Sequence, residues 1–170
     1  ARHLPVEIAT DAADVTESTE SALDSQIAPA ASGWSGTGMA FPRIQGADVC
    51  GHVVQVGGGV SRDRLGERVI VQGCLRSLAV GDFVPWLGSE RDGGFAQFVC
   101  APAADTYRVE SALSDAELAA VPCAFSTAEN LLGRAGVSTG ETVLVTGASG
   151  NVGSAAVQLA RRRGARVVAV

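Results

Sequence analysis

The chain has 170 residues, of which 46% are hydrophobic and 18% charged, enough to build a core in one domain or two small ones. All 13 basic residues are Arg, which excludes a phosphate-loop lysine, a Schiff-base lysine and a Tyr/Lys catalytic pair. Six acids against Arg2 alone put the whole net charge of −5 in residues 1–34, and the balanced remainder has no basic field to attract nucleic acid or anionic lipid.

No apolar run is long enough to span a bilayer, and Ala1-Arg2-His3-Leu4-Pro5 has no signal-peptide pattern. Reduced thiols in a cytoplasmic protein are therefore the expectation for Cys50, Cys74, Cys100 and Cys123. They form no CxxC pair, and two histidines are too few for a histidine-built metal site.

Residues 1–33 hold no aromatic side chain and are rich in acids, Ala, Ser and Thr. Such a stretch buries little apolar surface. It reads as an acidic loop or tail, loosely attached and cut first by proteases between Thr10 and Ser32. The alternative is that Leu4-Pro5-Val6-Glu7-Ile8 alternates as an edge strand.

From Trp34 the signals are for strands. Val49–Val56 is β-branched and ends in Gly57-Gly58-Gly59. Glu67–Gln72, Gly94–Val99 and Thr106–Val109 follow, with a long irregular loop from Leu75 to Asp92. Ser114-Asp115-Ala116-Glu117 fits a capping box, opening a helix that Pro122 interrupts. Ser126-Thr127-Ala128-Glu129 fits a second, opening a helix that stops near Gly133 or Gly136.

Thr142–Thr146 is a continuous apolar strand of the kind buried on both faces. A helical stripe of Val152, Ala155, Ala156, Leu159 and Ala160 then ends at Arg161-Arg162-Arg163-Gly164, where three cations suit the negative end of the helix dipole. Ala165–Val170 is the next strand.

Between that strand and helix lies Thr146-Gly147-Ala148-Ser149-Gly150-Asn151-Val152-Gly153. In a βαβ unit, Gly147 and Gly150 permit a tight turn and close approach of backbone to a phosphate. Gly153 lets the helix pack on the strand, and the N–H groups of Asn151 and Val152 face a pyrophosphate. The bland alternative is a tight turn that binds nothing. The short-chain dehydrogenases share a Thr-Gly start, but the match is poor: 140 residues precede the motif, and their Tyr/Lys pair has no Lys here.

The order of parts resembles the medium-chain dehydrogenase/reductase superfamily, from about Trp34 to Val170. Phe41–Gly51 is similar to the segment carrying Gly-His-Glu in zinc alcohol dehydrogenases. Gly88–Phe98 is similar to their Gly-Gly-Phe/Ala-Glu-Tyr stretch, Pro122–Ala128 to the start of the interdomain helix, and Gly140–Gly147 to the lead into the nucleotide loop. The resemblance implies an α/β fold: a GroES-like β domain (34–112, incomplete at its N-terminus) followed by an interdomain helix and the first part of a Rossmann dinucleotide-binding domain (113–170, incomplete at its C-terminus). Family members are roughly twice this length, so the residue that reads the cofactor ribose is expected after Val170.

Departures from the zinc pattern point to the quinone oxidoreductase/enoyl reductase branch. Ala47 stands at the histidine-ligand position, the first cysteine ligand has no match in 1–34, and the cysteine-rich structural lobe is missing. The branch implies NADP as cofactor (NAD remaining open), no zinc, and hydride transfer to a quinone or conjugated carbonyl. Its expected partners are a small-molecule substrate and a second copy of the chain in a homodimer, with neither nucleic acid nor membrane. Cofactor contacts fall on Thr127, beside the nicotinamide, and on Gly147, Ser149, Gly150, Asn151, Val152 and Gly153. Cys123 matches a zinc-ligand position but reads as a buried thiol lining the cleft. Asp48 is either an acid near the catalytic centre or a turn residue, and no catalytic acid stands out. Two alternatives remain: a zinc-type alcohol dehydrogenase with a substituted metal site, and a non-catalytic dinucleotide-binding protein.

Overall fold

The structure, a computed structural model, describes the backbone of Pro5–Ala9 and all of residues 39–170. It divides after Ala119 into two units.

In the first unit, strands β1 (Pro5–Ala9), β2 (Val49–Val56), β3 (Arg68–Val71), β4 (Phe98–Pro102) and β5 (Thr106–Arg108) form one sheet in the order β4-β1-β2-β3-β5. Every pairing is antiparallel. β-Branched residues suit a pleated surface with one buried face, and Val49, Val53, Val69, Val71, Val99 and Ala101 make the core. Leu75 and Leu87 join them, both almost fully buried. They anchor the long loop, whose two arms meet in isolated bridges at Cys74–Trp86 and Val80–Phe83. Burying one such leucine contributes about 1.5–3 kcal/mol, which is how a loop without regular strands holds its shape.

Two expectations fail here. Pro5–Ala9 is neither tail nor edge: β1 lies between β2 and β4 and pairs with both. Its register sets Val6 against Val56 and Ala101, and Ile8 against Val53 and Val99. Alternation over five residues outweighs the acidic surroundings. The rest of the 1–33 expectation lies outside the described residues. The strand expected from Gly94 begins only at Phe98, because 94–97 is bent against the segment around Gly46.

Helix α1 (Asp115–Ala119) closes this unit. Its capping box forms as the sequence implies: Glu117 N–H donates to Ser114 Oγ at 3.3 Å, and Ser114 N–H to Glu117 Oε2 at 2.8 Å. Arg68 of β3 ties the approach to α1 down. Its Nε donates to Asp115 Oδ1, and its two Nη groups to the carbonyls of Ser111 and Leu113, at 2.6, 3.0 and 2.6 Å.

The second unit holds α2 (Pro122–Arg134), β6 (Thr142–Val145), α3 (Asn151–Arg162) and β7 (Arg166–Ala169). β6 and β7 are parallel, joined through α3 as a βαβ crossover. Alanines line the packing: Ala128, Ala155 and Ala160 are fully buried, and their small side chains let helix and sheet approach closely. Gly164 (φ +81°) ends α3, with Ala165 N–H donating to Ala160 O and Gly164 N–H to Arg161 O, a Schellman turn.

Three local readings are corrected here. Pro122 begins α2 instead of breaking a helix, since the first turn needs no proline N–H. Ser126 is therefore inside α2, where its Oγ donates back to Cys123 O at 3.3 Å, and Glu129 pairs with Arg163 at the C-cap of α3. Strand β6 is not buried on both faces: Val145 is buried while Leu144 is exposed, as is its neighbour Val168 on β7. No helix among the described residues is long and apolar enough to cross a membrane.

Candidate functional site

The glycine loop leaves the carboxyl end of β6, where open parallel sheets bind ligands. Gly147 takes φ +64°, a left-handed turn that a side chain resists. Gly150 N–H then donates to Gly147 O at 3.0 Å, and Ala148 N–H reaches across to Val170 O, also at 3.0 Å. The loop is thus closed on itself and tied to the chain just after β7.

Gly150 is the N-cap of α3, with extended φ/ψ of −77° and 167° and no side-chain capping bond. An α-helix leaves its first N–H groups without intrahelical acceptors. Here these belong to Asn151, Val152 and Gly153, at the positive end of the helix dipole. The helix proper starts bonding at Ser154 N–H to Gly150 O, 2.8 Å. A Cβ placed on Gly153 would lie 2.1 Å from Gly147 O and 2.8 Å from Ala148 Cα. A Cβ on Gly150 would meet only Gly147 O, at 3.3 Å. Gly153 is therefore required by packing. Gly150 is not, so its bare backbone leaves room for something from outside. This cradle fits the pyrophosphate of a dinucleotide.

Ser149 is exposed on this loop. Cys123 and Thr127, four residues apart, share a face of α2; Cys123 is half-buried and Thr127 exposed. Asp48 belongs to the first unit, exposed at the foot of β2. The structure brings together the loop residues within the second unit, with Cys123 and Thr127 on one helix of that unit.

The turn before Asp48 has a support that the sequence reading did not single out. Gly93 N–H donates to Ile44 O at 2.8 Å, Phe95 N–H to Gln45 O at 2.9 Å, and Gly94 N–H to Gly46 O at 2.8 Å. Asp92 Oδ1 accepts from Arg43 Nη1 at 2.9 Å and from Ile44 N–H at 3.2 Å. The legible signal was Asp92-Gly93-Gly94, an acid followed by two residues without side chains.

All four cysteines are thiols. Cys50 is buried, and its Sγ lies 3.8 Å from Asp115 Oδ1. Burial, and then the Asp115 carboxylate, push this thiol above its usual 9.0, with Arg68 pulling the other way. Ala47 has no donor atom, and among the described residues no three His, Cys, Asp or Glu side chains converge to hold a metal ion.

Comparison with known proteins places these features. Residues 7–111 match the alcohol dehydrogenase GroES-like domain. The chain is 37% identical over 142 residues to an acryloyl-coenzyme A reductase of Metallosphaera sedula, covering 78% of this chain and 43% of that one. It is 34% identical over 129 residues to a quinone oxidoreductase of Pongo abelii, covering 75% of this chain and 34% of that one. The chain thus spans less than half the length of these relatives. Among solved structures, a putative alcohol dehydrogenase from Sinorhizobium meliloti 1021 superposes with a TM-score of 0.71 at 50% identity, over 77% of this chain and 37% of that one. A cobalt- and zinc-bound thermostable alcohol dehydrogenase from Pyrobaculum aerophilum superposes with a TM-score of 0.67 at 33% identity, over 76% of this chain and 43% of that one. An antiparallel sheet of the GroES-like kind, followed by a βαβ unit with its glycine loop, is thus explained by descent: the chain belongs to the alcohol dehydrogenase GroES-like family, within the medium-chain dehydrogenase/reductase superfamily.

Proposed function

We propose that this chain is part of an NAD(P)H-dependent oxidoreductase that delivers hydride to a quinone or a conjugated carbonyl or enoyl substrate without a metal ion. One observation carries the reading: helix α3 starts at Gly150 with no capping side chain, directly after a glycine turn on a parallel strand. That arrangement offers backbone donors to a pyrophosphate at no cost in reorganisation.

The bound dinucleotide supplies the hydride. The N–H groups of Asn151 and Val152 hold the pyrophosphate against the helix dipole, with Gly150 leaving the approach open. Gly147 and Gly153 set the distance between loop and helix, Ser149 offers a hydroxyl at the loop's rim, and Thr127 contacts the nicotinamide. Cys123 stands one turn from Thr127 on the same face of α2, and Asp48 is assigned separately as the substrate-facing acid of the first unit. The protein's contribution is orientation and exclusion of water, which needs no charged catalytic pair. NADP rather than NAD, a homodimer and a cytoplasmic setting belong to the same reading.

The test is titration of the full-length protein with NADPH, followed by cofactor fluorescence. Gly150→Val puts a branched side chain in the phosphate approach, and affinity is expected to fall by about tenfold or more, roughly 1.4 kcal/mol. Unchanged affinity would remove the site. A second reading, a zinc-type alcohol dehydrogenase with a substituted site, draws on the metal-bound structural relative. Elemental analysis of protein purified without added metal separates the two. Far less than one zinc per chain is expected, whereas stoichiometric zinc lost in Cys123→Ser would establish the second.

A further inference from the structure

The turn Gly46-Ala47-Asp48 is gripped from several sides. A Cβ on Gly93 would lie 2.1 Å from Gly46 O, one on Gly73 would lie 2.7 Å from Ala47 O, and one on Gly94 would lie 2.4 Å from Val49 Cγ2. Three backbone hydrogen bonds from 93–95 hold the strip 44–46 alongside. To these contacts Asp92 adds a side chain that accepts from both Arg43 and Ile44 N–H.

Asp92 is 60% exposed while its partner Arg43 is 20% exposed. Ion pairs this open to water add little to global stability. Arg43 has a further peculiarity: its Nε is buried and donates to no acceptor. A buried donor without a partner is costly. With Asp92 in place, the guanidinium is held there by its hydrogen bond to Oδ1. Without it, Arg43 gains hydrogen bonds by turning out to water and draws residues 43–44 with it.

We propose that Asp92 is a positioning residue: through Arg43 and Ile44 it fixes the turn that carries Asp48, and so sets the orientation of Asp48 toward substrate more than the stability of the fold. This rests on the reading of Asp48 as a substrate-facing residue. Orientation is where small displacements matter most, since a shift of about 1 Å can cost as much as a hundredfold in rate.

The test compares Asp92→Ala, Asp92→Asn and the control Glu110→Ala in the full-length protein. The control breaks an exposed pair with Arg108 that is remote from the turn in sequence. Asp92→Ala is expected to lower kcat by about tenfold, with the KM for dinucleotide and the melting temperature unchanged. Amide hydrogen exchange over Gly46–Val49 should quicken. In Asp92→Asn the amide oxygen still accepts from Ile44 N–H and Arg43, so most of kcat returns. Glu110→Ala should match the wild type. The proposal is overturned if exchange over 46–49 is unchanged in Asp92→Ala, if exchange quickens with no fall in kcat, or if the melting temperature falls along with kcat. Should the wild type reduce no quinone or enoyl substrate, the functional reading fails, and exchange alone still decides whether Asp92 holds the turn.

Discussion

Replacing Gly153 by alanine separates the fold of the glycine loop from its ligand. The added methyl would stand 2.1 Å from Gly147 O and 2.8 Å from Ala148 Cα, far inside the roughly 3.5–4.0 Å of a relaxed carbon contact. Both neighbours are backbone, so no side chain can swing aside. Either the first turn of α3 lifts from the loop or the turn at Gly147 opens. Overpacking of this kind costs about 1–3 kcal/mol. For a chain of this size, a loss of about 2 kcal/mol lowers the melting temperature by about 4–8 °C. Gly150→Ala is the comparison. Its methyl meets Gly147 O at 3.3 Å, and its φ of −77° suits any residue. Stability should change by less than about 1 kcal/mol, as is usual for substitutions outside cores.

The assay is thermal unfolding followed by near-UV circular dichroism, with NADPH titration at 20 °C on both variants. Gly153→Ala should melt earlier. Gly150→Ala should melt with the wild type yet, on the proposed role of the cradle, bind dinucleotide more weakly. If Gly153→Ala is as stable as the wild type and binds as well, loop and helix are not in the close contact argued here, and the pyrophosphate cradle loses its geometric basis.

Further outcomes follow from the charged contacts. Arg68→Ala removes donors to Asp115 and to the Ser111 and Leu113 carbonyls; urea unfolding should show a loss of about 2 kcal/mol, as for other charge-assisted bonds. A loss indistinguishable from zero would mean that this tie is idle. Cys50, held above 9.0 by burial and by Asp115, should be alkylated by iodoacetamide far more slowly at neutral pH than exposed Cys100. Its folded value lies above its unfolded one, so its contribution to stability is lost as pH rises past 9.0 toward the raised value. Equal labelling of the two thiols by mass spectrometry would refute this. Glu117 is held below 4.5 by the Ser114 N–H and then by the Ser114 hydroxyl. Its contribution is present above 4.5 and fades as pH falls through the lowered value, so Glu117→Gln should flatten the acid limb of a stability–pH profile.

Much of the β unit can be read from Val49–Val56 and Arg68–Val71, because β-branched runs bounded by glycine have few other stable solutions. Pro5–Ala9 is harder to read because its evidence lies in its partners. Val6 and Ile8 pair in register with Val53, Val56, Val99 and Ala101, up to about 95 residues away in sequence. Gly94–Phe98 fails in the opposite direction: Phe95 and Phe98 suggest a strand, but Gly93 and Gly94 serve a close backbone crossing with Gly46, which no local pattern reveals. Pro122 and Ser126 show that one signal has two meanings. A proline breaks a helix only if the helix has already begun, and a Ser-x-x-Glu spacing caps only if the chain upstream is extended. Leu144 looked buried on composition alone, although a two-stranded sheet with helices α2 and α3 against it leaves it exposed.

The glycine loop was the most legible part of the candidate site, and the reason is physical. Its chemistry resides in backbone N–H groups, so the only sequence requirement is the absence of side chains at set positions, and absence at fixed spacing is easily seen. The Asp48 turn in the other unit follows the same logic, with glycines at 73 and 93 admitting backbone, and Gly94 the Val49 side chain, where a methyl would collide. Its glycines come from separated segments, so their spacing carries no motif. The metal-free hydride transfer proposed above would ask the protein for orientation, and orientation held by backbone contacts needs no cluster of histidines or carboxylates. On that proposal, the absence of an acid–base constellation from the sequence is compatible with close contacts at the Asp48 turn and the glycine loop.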